Sequence, residues 1–187
     1  FEGNFSGYIS SSALGESGDE FVQNSRPEFT AGSINASLGG PIVRDRLWFY
    51  IAYQYSHRYT EPNTSTTLGR DFSKFPQVPR IWNSHFILGK ITAQPFAGNK
   101  FAITVRGDPT TIDNLYADYG DAATRTAEAE TWYQQGGISG TLLHEGQLGG
   151  RGTLTTQVIY QYSRIDVTPM AWQDCEDWNS IGRCLDP

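Results

Sequence analysis

Long hydrophobic runs, clustered charge and methionine are all scarce in this sequence, and each shortage removes a class of protein. The longest apolar run, Leu47 to Tyr53, spans seven residues, far short of the roughly 18 that a membrane-spanning helix needs. Strands escape that test, because they hide alternate residues from lipid and give a much weaker hydropathy signal. Charged residues make up 18% of the chain, no Lys/Arg run occurs and the net charge is -6. Nucleic acid is therefore not an expected partner. One Met stands against ten Tyr and five Trp, with 20 Gly. That balance is odd for the core of a soluble enzyme and suits a sheet with one apolar and one polar face. The chain opens on Phe1 without a signal-peptide pattern, and is expected to be a processed product or a portion of something longer.

What the sequence has in abundance is period-two alternation, clearest from Phe29 to Tyr59. The first arm puts Ile34, Ala36 and Leu38 on one face and Ser33, Asn35 and Ser37 on the other. The second puts Leu47, Phe49, Ile51, Tyr53 and Tyr55 opposite Trp48, Tyr50, Ala52, Gln54, Ser56 and Arg58. This predicts two long strands joined by a tight turn at residues 39–46. The second runs about 13 residues, against five or six for an ordinary strand. Further strands are expected at residues 1–12, 82–93, 100–107, 131–144 and 152–166, about seven in all. In the 82–93 segment, Phe86 and Leu88 fall on one face and Ile87 and Ile91 on the other, so alternation does not choose an apolar side there.

The connections alternate in length: long, short, long, short, long, short, long. An outer-membrane barrel sorts its loops this way, with short periplasmic turns and longer extracellular loops. Strands starting at Phe1, Leu47, Lys100 and Gly152 then rise outward, and those starting at Phe29, Trp82 and Thr131 descend. Phe29, Tyr55, Tyr59, Trp82, Trp132, Tyr133, Tyr160 and Tyr162 gather near the long-loop ends. Trp48, Phe49, Phe96 and Phe101 gather near the short turns. Two levels of rings suit the two aromatic girdles of such a barrel; cross-strand aromatic pairing in a water-facing sheet is the plainer account.

GSINASLGGPIVRDRLWFYIAYQ resembles the early barrel hairpin of TonB-dependent outer-membrane receptors, in particular the large Oar-like group. Leu38, Gly39, Gly40, Pro41, Ile42 and Val43 match its first strand and turn, and Asp45, Arg46, Leu47, Trp48 and Phe49 its aromatic return. GKITAQPFAGNKFAITVRGDPTTIDN is similar to the next hairpin of the group. The resemblance implies a plugged barrel of roughly 22 strands. It implies energised passage of a bulky substrate across the outer membrane of a Gram-negative bacterium, driven by TonB. Seven strands would leave two open edges, which the hydrocarbon does not tolerate. The expectation is accordingly an all-β, antiparallel, up-and-down barrel segment over residues 1–187, with no plug domain of its own. Its implied partners are membrane lipid, the TonB complex and the rest of the barrel and plug; a place among other envelope proteins stays open.

The candidate residues divide by chemistry. Gln54, Arg58, Thr104, Arg106, Gln157 and Gln161 are expected to line a wet lumen. Cys175 and Cys184, the only two cysteines, are expected to form a disulfide in a surface loop. Asp108, Asp113, Asp118 and Asp121 offer oxygen ligands, but their spacing fits no EF-hand and reads as a solvated loop. Asn63-Thr64-Ser65 fits the glycosylation acceptor pattern, a short and common one. His57, His85 and His144 lie on separate segments with no nucleophile in a recognisable motif, so neither an enzyme nor a cofactor is expected. Gly39–Gly40 and Gly149–Gly150 read as turn glycines, and Gly136–Gly137 as a strand kink or bulge. The rival readings are a passive porin or structural barrel, and a soluble carbohydrate-binding β-sandwich.

Overall fold

A computed structural model of the chain describes residues 1–14, 28–61, 78–115 and 131–169. All eight strands among them belong to one antiparallel sheet. They are β1 (Glu2–Ser11), β2 (Phe29–Val43), β3 (Leu47–Thr60), β4 (Arg80–Phe96), β5 (Asn99–Gly107), β6 (Thr110–Asp113), β7 (Thr131–Gln147) and β8 (Thr153–Pro169). Each of β2, β3, β4, β7 and β8 runs 14 to 17 residues. No second sheet and no helical layer packs on this one among the described residues.

The eight strands fill seven lanes. β5 and β6 lie end to end between β4 and β7. The register does not slip across their junction: Ile87 faces Gly107 and Ser84 faces Thr110, one continuous count. The lane therefore extends past Gly107 to Asp113, through residues whose acidic composition reads as a loop. Short connections at residues 44–46, 97–98 and 148–152 sit at one end of the sheet. Residues 12–28, 61–79 and 114–130 connect the strands at the other.

Following the register across the sheet gives each residue its face, because directly paired residues share one. Ile34, Tyr55, His85, Pro109, Gly136 and Arg164 form one row. Below it on the same face come Leu38, Ile51, Gly89, Val105, Gly140 and Tyr160, then Phe49, Ile91, Ile103, Leu142 and Val158. This face is apolar over the middle of every lane. Pairing also resolves the fourth strand: Ile87 opposes Tyr53, and Ile91 opposes Phe49 and Ile103, so both isoleucines join the apolar face. The opposite face carries Asn35, Gln54, Lys90, Thr104, Arg106, Ser139 and Gln161, with Phe86 and Leu88 among them.

The apolar face is open. Ile103 is 52% exposed, Ile138 51% and Val158 59%. Among the described residues, the five buried ones other than glycine, Thr60, Ala102, Thr110, Ile112 and Ser139, all fall on the polar face. In a single layer, that asymmetry arises when the sheet curls toward the polar side, crowding side chains there and splaying them opposite. A Cβ added at Gly89 or Gly140, both on the apolar face, would meet nothing within 4 Å.

Two expectations about turns need correcting. Gly39 and Gly40 lie within β2, paired with Tyr50 and Phe49, and not in the turn. Their missing side chains accommodate rings: a Cβ at Gly40 would come within 2.4 Å of the Phe1 ring, and one at Gly39 within 3.0 Å of Tyr50. The turn itself is residues 44–46, closed by Arg46 N–H donating to Val43 C=O at 3.2 Å, with Asp45 at φ 61°. Gly149, by contrast, does sit in its turn, at φ 61°.

Asp tolerates the left-handed region better than most residues, yet a side chain there still costs about 1–2 kcal/mol. Asp45→Gly is expected to raise the urea midpoint and Asp45→Val to lower it. An unchanged midpoint for Asp45→Val would show that this turn is not strained.

Candidate functional site

The polar face is where the sequence and the register agree on chemistry. All six residues expected on a wet interior, Gln54, Arg58, Thr104, Arg106, Gln157 and Gln161, fall on it by register. They do not form one cluster. Gln54 donates to Ser56 Oγ at 3.1 Å. Arg58 donates through Nε to Thr60 Oγ1 at 3.3 Å and stacks over the Phe29 ring at 4.5 Å. Only Arg106 and Gln161 line a common depression, about 320 Å³ in volume, with Asp108, Ser139 and the Gly136–Gly137 backbone.

Beside that depression the β5–β6 lane carries a proline in mid-sheet. Pro109 has no N–H, so its pair with His85 keeps only one bond, His85 N–H to Pro109 C=O at 2.9 Å. On the other side, Asp108 N–H donates to Gly137 C=O at 3.3 Å, while Gly137 N–H donates to the Asp108 side-chain Oδ1 at 2.9 Å. A carboxylate thus stands in for a backbone carbonyl in the ladder. Asp108 is a structural acceptor here, not a free loop ligand. Asp118 and Asp121 lie outside the described residues, as do Asn63, Cys175 and Cys184.

Gly136 and Gly137 answer the same constraint. A Cβ at Gly136 would lie 2.8 Å from Pro109 Cα, and one at Gly137 2.5 Å from Tyr162 C=O. The register runs through both without a shift, so close approach of neighbouring strands, not a bulge, requires them.

A second, wider depression of about 530 Å³ lies toward the short turns on the polar face, lined by Trp48, Tyr50, Leu88, Lys90, Thr92 and Thr104. Trp48 pairs with Thr92, Tyr50 with Lys90, and Lys90 with Thr104. Alternation along residues 82–93 left the faces of that strand open, so Lys90 could be placed only by the pairing. At the rim, Lys100 and Glu145 form a cross-strand ion pair at 3.6 Å.

The three histidines sit on the apolar face, away from both depressions. Asn83 Oδ1 accepts from Tyr55 Oη at 2.9 Å and from His57 Nδ1 at 2.8 Å. His85 Nδ1 lies 2.8 Å from Tyr53 Oη, and its ring packs 5.0 Å from that of Tyr55. His144 stacks on Phe101 at 4.4 Å. The register also divides the aromatic levels: Tyr55, Tyr59 and Trp132 stand on the apolar face near the long connections and Tyr160 and Tyr162 on the same face at mid-sheet, but Phe29, Trp82 and Tyr133 stand on the polar one. Phe49 and Phe101 stand on the apolar face near the short turns, but Trp48 does not. Among the described residues no three His, Cys, Asp or Glu side chains converge as a metal site would require.

Compared with known proteins, the chain matches no protein-family model and no curated protein.

Because the collision at Gly137 is with backbone, Gly137→Ala is expected to destabilise the sheet by about 1–3 kcal/mol. Gly140→Ala, three residues along the same strand, meets open space and is expected to be neutral or to stabilise by up to about 1 kcal/mol. Paired urea titrations read the difference, and equal effects would refute the close-approach account.

Proposed function

We propose that this sheet is part of the wall of an outer-membrane β-barrel, belonging to a TonB-dependent receptor or transporter of the Oar-like kind. The observation that carries the barrel reading is the apolar face, continuous across every lane and covered by nothing among the described residues. Water alone makes such a face costly, and monomeric soluble proteins rarely expose apolar patches beyond a few hundred Å². Hydrocarbon is its natural solvent. Strand length supports the same reading, since about 9–11 tilted residues cross the membrane and these strands run longer. So do the crowded polar side, which suits a wet interior, and connections sorted by length at the two ends.

A soluble sandwich needs a second sheet against the apolar rows, and every described strand belongs to the first. TonB dependence rests on the resemblance of residues 32–54 and 89–114 to the receptor group. The partners that follow are membrane lipid, the remaining strands, a plug and the TonB complex. Lumen-facing Gln54, Arg58, Thr104, Arg106, Gln157 and Gln161 would meet solute and water, and none is assigned a catalytic role. A passive porin would share every strand feature. Steady ion conductance by the complete protein in a planar bilayer would favour the porin, whereas a plugged barrel stays closed until energised.

The lipid face is tested by single arginines in the complete protein refolded into lipid vesicles. Ile103→Arg and Val158→Arg are each expected to cost about 2–4 kcal/mol. Thr104→Arg and Gln157→Arg, one residue away, are expected to cost far less. Equal penalties at neighbouring positions would overturn the assignment of faces and the barrel with it.

A further inference from the structure

We infer that Lys90 and Arg106 form an oxyanion-binding site on the polar face, suited to the carboxylate or phosphate group of a small organic solute. The two cations are diagonal neighbours on β4 and β5, because Lys90 pairs with Thr104 and Arg106 lies two residues further along. The backbones of diagonal neighbours stand roughly 7–8 Å apart, within reach of two long side chains. Among the described residues, neither has a carboxylate partner. Lys90 makes no hydrogen bond or ion pair among the described residues, and Arg106 makes one, from Nε to Ser139 Oγ at 2.7 Å.

The nearby acids are already engaged. Asp108 accepts from the Gly137 N–H, and Glu145 pairs with Lys100. Ser139 holds the Arg106 guanidinium by Nε alone, leaving its two terminal nitrogens as a fork for a planar or tetrahedral oxyanion. Lys90 adds a mobile point charge, and Thr104 between them adds a hydroxyl. The depression beside Lys90 is floored by Trp48 and Tyr50, whose rings offer flat apolar surface to the organic part of the solute. The charge is local: the chain as a whole carries -6, so this pair is a positive spot on an acidic protein.

The site depends on the barrel reading only for the route by which solute reaches it. The geometry stands on the sheet alone. Lysine is rare enough to make the site directly observable, since the sequence holds only Lys74, Lys90 and Lys100. Reductive ¹³C-dimethylation keeps their charge and gives each an NMR signal in the complete protein reconstituted in bicelles, where each signal is assigned by its loss in the matching Lys→Arg variant. Inorganic phosphate and citrate, titrated separately at constant ionic strength, are expected to move the Lys90 signal saturably and leave Lys74 and Lys100 unmoved. Arg106→Gln is expected to weaken that titration about tenfold, the loss of one charge-assisted fork. Lys100→Gln should leave it unchanged. A response to phosphate but not citrate, or the reverse, identifies the oxyanion class.

Equal movement of all three lysine signals, or an Arg106→Gln titration matching the parent, overturns the proposal. Amide spectra of each variant confirm that the sheet is intact, so loss of binding is not mistaken for loss of fold. Lipid insertion, read on the same samples by protease protection, separates the two conclusions: a chain that binds oxyanion without inserting keeps this site and loses the barrel.

Discussion

The inter-strand hydrogen-bond ladder is the interaction on which everything else in this structure depends. A globular domain is held by a buried core, and here the only buried apolar side chains among the described residues are Ala102 and Ile112. With so little burial, the backbone pairs carry both the order of the strands and their register. The molecule accordingly protects the ladder where it is threatened. Pro109 removes one donor from a central lane, and Asp108, Gly136 and Gly137 repair the pairing around it with a carboxylate and two missing side chains.

Register then does the work that a core does elsewhere. Because side chains alternate strictly, one shared count across the lanes gathers isoleucine, leucine and valine on one side and the amides, hydroxyls and cations on the other. A one-residue slip would mix the two environments in every lane it touched. The same count that produces an apolar face therefore also assembles Lys90, Thr104, Arg106 and Ser139 from three different strands.

Much of this was legible in the chain. Strict alternation located the long strands, the lengths of the connections sorted them by end, and parity put Gln54, Arg58, Thr104, Arg106, Gln157 and Gln161 on one face. The turns were less legible. Leu38-Gly39-Gly40-Pro41 has the composition of a turn, yet its glycines sit inside a strand, because the rings of Phe1 and Tyr50 occupy the space above them. Gly107-Asp108-Pro109 looks like a loop entry, yet the lane continues through it. In both places a neighbouring strand overrides local preference, and local sequence carries no record of the neighbour.

The amino-acid sequence by itself determined that this chain forms long two-faced strands, since alternation is a property of each segment alone. Which face Ile87, Ile91 and Lys90 occupy, which aromatics stand on the apolar side, and which cations become neighbours were decided only by the sheet. Those facts belong to pairs of strands distant in sequence, and pairing is fixed by backbone hydrogen bonds that no single strand contains.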